Sequence, residues 1–135
     1  MEPCTTGEKI ALGGTKIRLT HLETGCNLHS HNVRSPLSSQ QEITAYGADG
    51  QGDGGDDWVL YPVSGVSDKY WRKDQEINLR HDQTGKFLGC TEQARFTRNN
   101  CGHNCPVMNH LEVFGRGEKD GHIKWKTSIG VFLHK

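Results

Sequence analysis

The chain has little that would let it cross a membrane, grip a nucleic acid or flex between domains. No apolar run approaches the roughly 20 residues that a bilayer helix needs, and the opening "MEPCTTGEKIALGG" has no apolar core of the kind a signal peptide carries. Neither sign of charge is in excess, since 16 Lys and Arg offset 16 Asp and Glu. No basic run is interleaved with aromatics as a phosphate-backbone footprint requires, so neither nucleic acid nor membrane is an expected partner. Prolines number only 4 against 17 glycines, and apolar residues make up 33% of the chain at a mean hydropathy of -0.72. Such a chain turns often and builds its core economically, which favours short strands over long helices. Its 135 residues suit a single domain. Catalytic signatures are missing as well: there is no G-x-S-x-G, no P-loop and no G-x-G-x-x-G. The glycine-rich "GQGDGG" lacks the Lys-Ser/Thr of a phosphate cradle. Neither an enzyme nor a cofactor is expected.

What is there is repetition. "IRLTHLETGCNLHSH" (17–31) aligns without gaps on "INLRHDQTGKFLGCT" (77–91), matching Ile17 with Ile77, Leu19 with Leu79, His21 with His81, Thr24 with Thr84, Gly25 with Gly85 and Leu28 with Leu88. In each copy I-x-L-x-H has the period of a half-buried strand, and T-G supplies a turn in which glycine is free to take positive φ. Each hairpin is followed by two more strand signals, "QEITAYG" and "DDWVLYPV" in the first copy, "HLEVFG" and "HIKWKTS" in the second. Glu42 and Glu112, Gly47 and Gly115, and Trp58 and Trp125 are thus expected in comparable places. Repeat units of about 8–66 and 70–135 result, each of four short strands. Such a unit cannot bury its own apolar face, so units gather around a shared axis, as in propellers, barrels and β-trefoils. A third unit could draw at most a strand or two from 8–14 and 130–135.

Several side-chain groups invite a chemical reading. His29 and His31 lie two apart on a strand and so face one side, but the second copy has Gly89 and Thr91 there, and a hydrogen-bonding role is expected rather than zinc. His21 and His81 fit hairpin ends, with a ring nitrogen bonding the turn backbone. "DGQGDGGDD" offers Asp49, Asp53, Asp56 and Asp57 as oxygen ligands, yet Gln51 and Leu60 break the spacing of a calcium loop, and a solvated acidic turn is expected. The five cysteines, Cys4, Cys26, Cys90, Cys101 and Cys105, allow two disulfides at most. In "CGHNC", Cys101 and Cys105 form the candidate disulfide. A bridge from one of them to Cys90, free thiols, or zinc with His103 and His110 stay open. No metal site is assigned.

The run G-x-x-I-R-L-T-H-x-x-T-G-x-N-L-H-S-H, followed by S-P-L-S-x-x-Q-E-I-x-A-Y-G and an acidic loop ending D-D-W, resembles the MIR motif of protein mannosyltransferases, inositol trisphosphate receptors and ryanodine receptors. Between Gly13 and Trp58 it is most similar to the stromal cell-derived factor 2 group. That resemblance implies an all-β fold, a β-trefoil of MIR units, of which residues 1–135 would form a single domain holding about two of three. Members of the group carry a first MIR unit, a signal peptide and a retention tail that these 135 residues do not include. "TRNNCGHNCPVMN" looks like an insertion relative to the group. The resemblance further implies a non-catalytic binding module of the endoplasmic reticulum lumen, working with an Hsp40-type co-chaperone and the luminal Hsp70 on misfolded or O-mannosylated clients. His29, His31, Arg34, Asp49, Asp53, Asp56 and Asp57 form the candidate partner- or glycan-binding surface, and the segments 29–39, 49–57 and 98–109 are the exposed candidates for binding. The alternative is a lectin-like MIR module of the protein O-mannosyltransferase type, with Trp58, Trp71 and Tyr46 stacking on sugars beside Asp56 or His31. Against it, Trp58 and Trp125, repeated in both units, are expected in the core.

Overall fold

The two T-G turns close two nearly identical hairpins. In this computed structural model, which describes residues 9–49, 51–63 and 69–127, Gly25 sits at φ 70° and Gly85 at φ 73°, the left-handed region that a Cβ disfavours. Gly25 N–H donates to His21 O and Gly85 N–H to His81 O, while His21 N–H and His81 N–H reach Cys26 O and Lys86 O. Each histidine then holds a threonine hydroxyl through Nδ1, at 2.9 Å for His21–Thr24 and 2.8 Å for His81–Thr84. The histidine partner is therefore the threonine side chain, not the expected turn backbone.

Seven strands follow in one antiparallel sheet: β1 (Lys16–Ile17), β2 (Asn27–Arg34), β3 (Gln41–Tyr46), β4 (Trp58–Pro62), β5 (Ile77–His81), β6 (Phe87–Arg95) and β7 (Leu111–Arg116), in the order β1-β4-β5-β6-β7-β3-β2. β4 runs against β5 from Trp58 opposite His81 to Pro62 opposite Ile77, which sews the first unit to the second. The second seam is short: Gln41 opposes Gly115 and Glu42 opposes Phe114. β2 with β3 and β6 with β7 are the same hairpin twice, each with a register shift, between Ser30 and Arg34 and between Cys90 and Arg95.

That register corrects one expected equivalence and keeps another. Ser30 opposes Ile43 as Cys90 opposes Val113, so Glu42 and Glu112 do correspond. Leu28 opposes Ala45 as Leu88 opposes Gly115, so Gly115 corresponds to Ala45 and not to Gly47. The expected strand over "HIKWKTS" is also corrected. Asp120 caps a short 3-10 helix at Gly121–Ile123, and beyond it, among the described residues, Trp125 makes only an isolated bridge to Ile77. In the first unit the same device, Asp53 capping Gly54–Asp56, leads into a true strand, β4. Of the segments considered for a third unit, Ile10 and Leu12 bond across to Trp71 and Lys69, whereas 130–135 lies outside the described residues.

Ile17, Trp58, Leu60, Ile77, Leu79 and Leu88 form the core, with Leu19, Leu28, Ile43 and Trp125 packed on it. Burying each such side chain contributes about 1.5–3 kcal/mol. Trp58 Nε1 donates to Leu28 O at 2.9 Å and Trp125 Nε1 to Leu88 O at 2.8 Å, so each indole also ties its unit's fourth segment to its second strand. Trp58 is fully buried.

Candidate functional site

The acidic loop does not behave as a solvated turn. Asp56 is fully buried, and both its oxygens are committed: Oδ1 accepts from His29 Nδ1 at 2.7 Å, and Oδ2 from Asn27 Nδ2 at 3.0 Å and Asp53 N–H at 3.1 Å. A carboxylate can only accept, so His29 carries its proton on Nδ1. His29 is 5% exposed, and with Asp56 it leaves the expected binding surface. Loop geometry is the cause: the Asp53 side chain accepts from Gly55 N–H and turns the chain inward, and Gly55 lies against the His29 ring where a Cβ would sit 2.4 Å from its Cε1.

His29, Asp53 and Asp56 bring their ligand atoms within 4.8 Å of one another and are the described residues that could hold a cation. The second unit points to a different origin. At the matching positions it has Gly89 and Ile123, and a Cβ on Gly89 would come 3.3 Å from Ile123 Cγ2 and 3.2 Å from the Phe114 ring. One unit fills this place with a His–Asp pair and the other with isoleucine over glycine, so the pair occupies a core position.

His81, also fully buried, extends the polar interior. Its Nε2 lies 2.8 Å from Gly55 O and must donate, which makes Nδ1 the acceptor for the Thr84 hydroxyl. Thr84 Oγ1 in turn accepts from Gln41 Nε2 at 2.8 Å. Burial pushes the His81 pKa down, with the Gly55 hydrogen bond acting against it.

The remaining candidates reach the surface in two places. Tyr46, 45% exposed, lies 4.5 Å from the His29 ring, and His31 meets that same His29 ring edge-on at 5.2 Å. His31 Nε2 lies 3.0 Å from Glu42 Oε1, and Asp53 remains half exposed beside this stack. Asp57 receives Arg18 Nε at 2.9 Å, and Asp49 is exposed. Of the lectin set, Tyr46 and His31 are the side chains offered to solvent; Trp58 has no free face, and Trp71 is half-buried with its Nε1 enclosed and unbonded. Arg34 is exposed at the end of β2. Cys101 and Cys105 are joined by a disulfide across the loop that follows a one-turn helix, Arg98–Cys101, while Cys26 and Cys90 are free.

One functional residue lay beyond sequence reasoning. Glu112, 5% exposed, takes the Ser35 and Ser38 hydroxyls and the Leu37 and Ser38 N–H groups, and so pins the S-P-L-S turn from 77 residues away. Burial pushes its carboxyl up, but the bonds from Ser38, Leu37 and Ser35 outweigh that and hold it below its ordinary value. Its match with Glu42 was legible; its different partner was not.

Fold and site together define an all-β module of the β-trefoil type. The family model of the MIR domain matches residues 2–64. The chain is 35% identical over 130 residues to stromal cell-derived factor 2 of Mus musculus, covering 96% of this chain and 56% of that protein. It is 33% identical over 124 residues to a stromal cell-derived factor 2-like protein of Dictyostelium discoideum, covering 92% and 54%. It resembles the crystal structure of the SDF2-like protein from Arabidopsis thaliana at a TM-score of 0.80 and 33% identity, over 97% of this chain and 68% of that one. A structure of the S. cerevisiae protein O-mannosyltransferase Pmt1-Pmt2 complex bound to the sugar donor matches at 0.71 and 28%, over 88% and 17%. The chain belongs to the MIR-domain family, among the stromal cell-derived factor 2 and SDF2-like proteins. It spans about half the length of the curated relatives it matches.

Proposed function

We propose that this chain is a non-catalytic binding module of protein quality control in the endoplasmic reticulum lumen, a single domain built of units 8–66 and 70–135. It would bind an Hsp40-type co-chaperone and the luminal Hsp70 and act on misfolded or O-mannosylated clients. The observation that carries this reading is the 35% identity to stromal cell-derived factor 2 across 96% of the chain. The commitment of the buried polar groups to structure supports it: Asp56, His81 and Glu112 each have their hydrogen-bonding capacity spent on turns and strands, which leaves binding by surface loops. The test is a pull-down from a luminal extract with the whole chain as bait. Retention of both chaperones is expected, with loss on replacing the exposed β2 residues His31 and Arg34 by Ser. Absence of both chaperones from the wild-type bait would sink the proposal.

A lectin-like function is the second reading, favoured by the similarity to a mannosyltransferase structure whose complex holds a sugar donor and by the exposed Tyr46, His31 and Asp53 gathered around the His29 ring. An aromatic face with carboxylate and imidazole at its rim is suited to the apolar face and hydroxyls of a sugar. Sugar binding abolished by Tyr46→Ala, in a chain that captures no chaperone, would decide for it.

A further inference from the structure

We propose that the groove between the S-P-L-S turn and the end of β7 binds an anionic monosaccharide, a sugar carrying a carboxylate or a phosphate. The groove holds about 350 Å³ and is lined by Asn32, Arg34, Gln40, Lys86, Gly115 and Gly117 among others. The register shift between Ser30 and Arg34 swings the end of β2 out to form one wall, as bulges commonly do beside binding sites. Gly115 lines the floor, and a Cβ there would come 3.0 Å from Gln41 Cβ and 3.1 Å from Lys86 Cβ, so glycine lets both side chains pack closely on it. Lys86 reaches across it, with Nζ 3.2 Å from where a Cβ on Gly117 would stand.

The charge in this hollow is unbalanced. No acidic residue lines it, and among the described residues neither Arg34 nor Lys86 has an ion-pair partner. Nearby carboxylates are engaged elsewhere: Glu112 is bound by Ser35, Leu37 and Ser38, and Asp120 and Glu118 by Arg116. A concave surface with two cations that lack an ion-pair partner concentrates anions, and the planar guanidinium fork matches a carboxylate or phosphate. Asn32 adds an amide able both to donate to and accept from hydroxyls, and Gln40, whose Oε1 takes Arg116 Nη1 at 3.4 Å, adds an NH2 able to donate. The volume is near the lower end of the roughly 300–1,000 Å³ of ligand pockets, which suits one sugar ring better than an extended peptide. Ser39, a rim residue, is held at φ 59°, where a non-glycine residue persists only if its surroundings impose it. The groove shares Arg34 with the surface tested for chaperone binding, but its assignment does not rest on the chaperone reading.

The test is a titration of the whole labelled chain, followed by backbone amide NMR, with D-glucuronate, D-mannose 6-phosphate, D-mannose and an Asp/Glu tetrapeptide in separate arms. Saturable shifts at Arg34, Gly115 and Gly117 are expected with an acidic sugar, the first two probes separating a carboxylate from a phosphate ligand. D-mannose should bind at least tenfold more weakly. Arg34→Gln, at an exposed side chain whose loss leaves the fold intact, and Lys86→Gln should each weaken acidic-sugar binding at least tenfold. Equal binding of D-mannose, unchanged affinity in both variants, tighter binding of the tetrapeptide than of either acidic sugar, or no saturable shift at the groove with any probe would each overturn the assignment.

Discussion

At the level of single residues, the interior of the first unit depends on one carboxylate. Asp56 satisfies Asn27, His29 and the Asp53 N–H at once, and a buried carboxylate of this kind is costly to remove because three donors aimed at it lose their acceptor. Asp56→Ala is therefore expected to lower the unfolding free energy by about 3 kcal/mol, read from urea denaturation. A loss below about 1 kcal/mol would mean that the loop is solvated after all. The sequence made these aspartates visible but not their depth, because "DGQGDGGDD" has the composition of an exposed turn. What draws Asp56 inside is tertiary: a cap at Asp53 and a histidine 27 residues upstream. The one available sequence signal was the paired difference between units, His29 and Asp56 against Gly89 and Ile123, and it needed the 3-10 turns to be aligned first.

At the level of elements, the S-P-L-S turn owes its shape to β7. Four hydrogen bonds converge on Glu112, two of them from backbone N–H groups, and charge-assisted bonds are roughly twice as strong as neutral ones. Glu112→Gln keeps one acceptor oxygen and turns an NH2 toward donors. Hydrogen exchange at the Leu37 and Ser38 amides is expected to quicken at least tenfold, with the β4–β5 amides unchanged; equal protection in both proteins would show that the turn holds itself. The Cys101–Cys105 disulfide acts more locally still. It closes a loop with a sequence separation of 4, and such short closures contribute at most about 2 kcal/mol through the unfolded chain. Cys101→Ser with Cys105→Ser should lower stability by no more than that in calorimetry, and a larger loss would give the loop a role in the core. The hairpins were legible because their signal is local, I-x-L-x-H and T-G within a dozen residues. The segment after Asp120 was not, since both it and β4 meet β5, but β4 pairs along all five of its residues whereas Trp125, among the described residues, bridges Ile77 alone.

At the level of the molecule, the two units share turns, indole bonds and bulges, and three groups of the second unit, His81, Glu112 and Asp120, make stability depend on acid. His81 is fully buried, and burial holds its pKa below the ordinary value of about 6.5. Between that value and its own lower one, the unfolded chain binds a proton that the native chain does not, so stability falls as pH drops through this window and levels off below it. Protonation also turns Nδ1 into a donor, against the Thr84 hydroxyl that now donates to it. Glu112 and Asp120, the latter held low chiefly by Arg116, act in the same direction in a second window. Their contribution is present above the ordinary carboxylate range near 4 and is lost as pH falls through it. The unfolding free energy plotted against pH should therefore step down twice on acidification. His81→Gln, which keeps a side-chain donor for Gly55 O, should remove the upper step and leave the lower one. If the variant retains the upper step, the acid sensitivity belongs to another histidine, and the neutral, bonded state of His81 is not what holds the seam between Gly55 and β5.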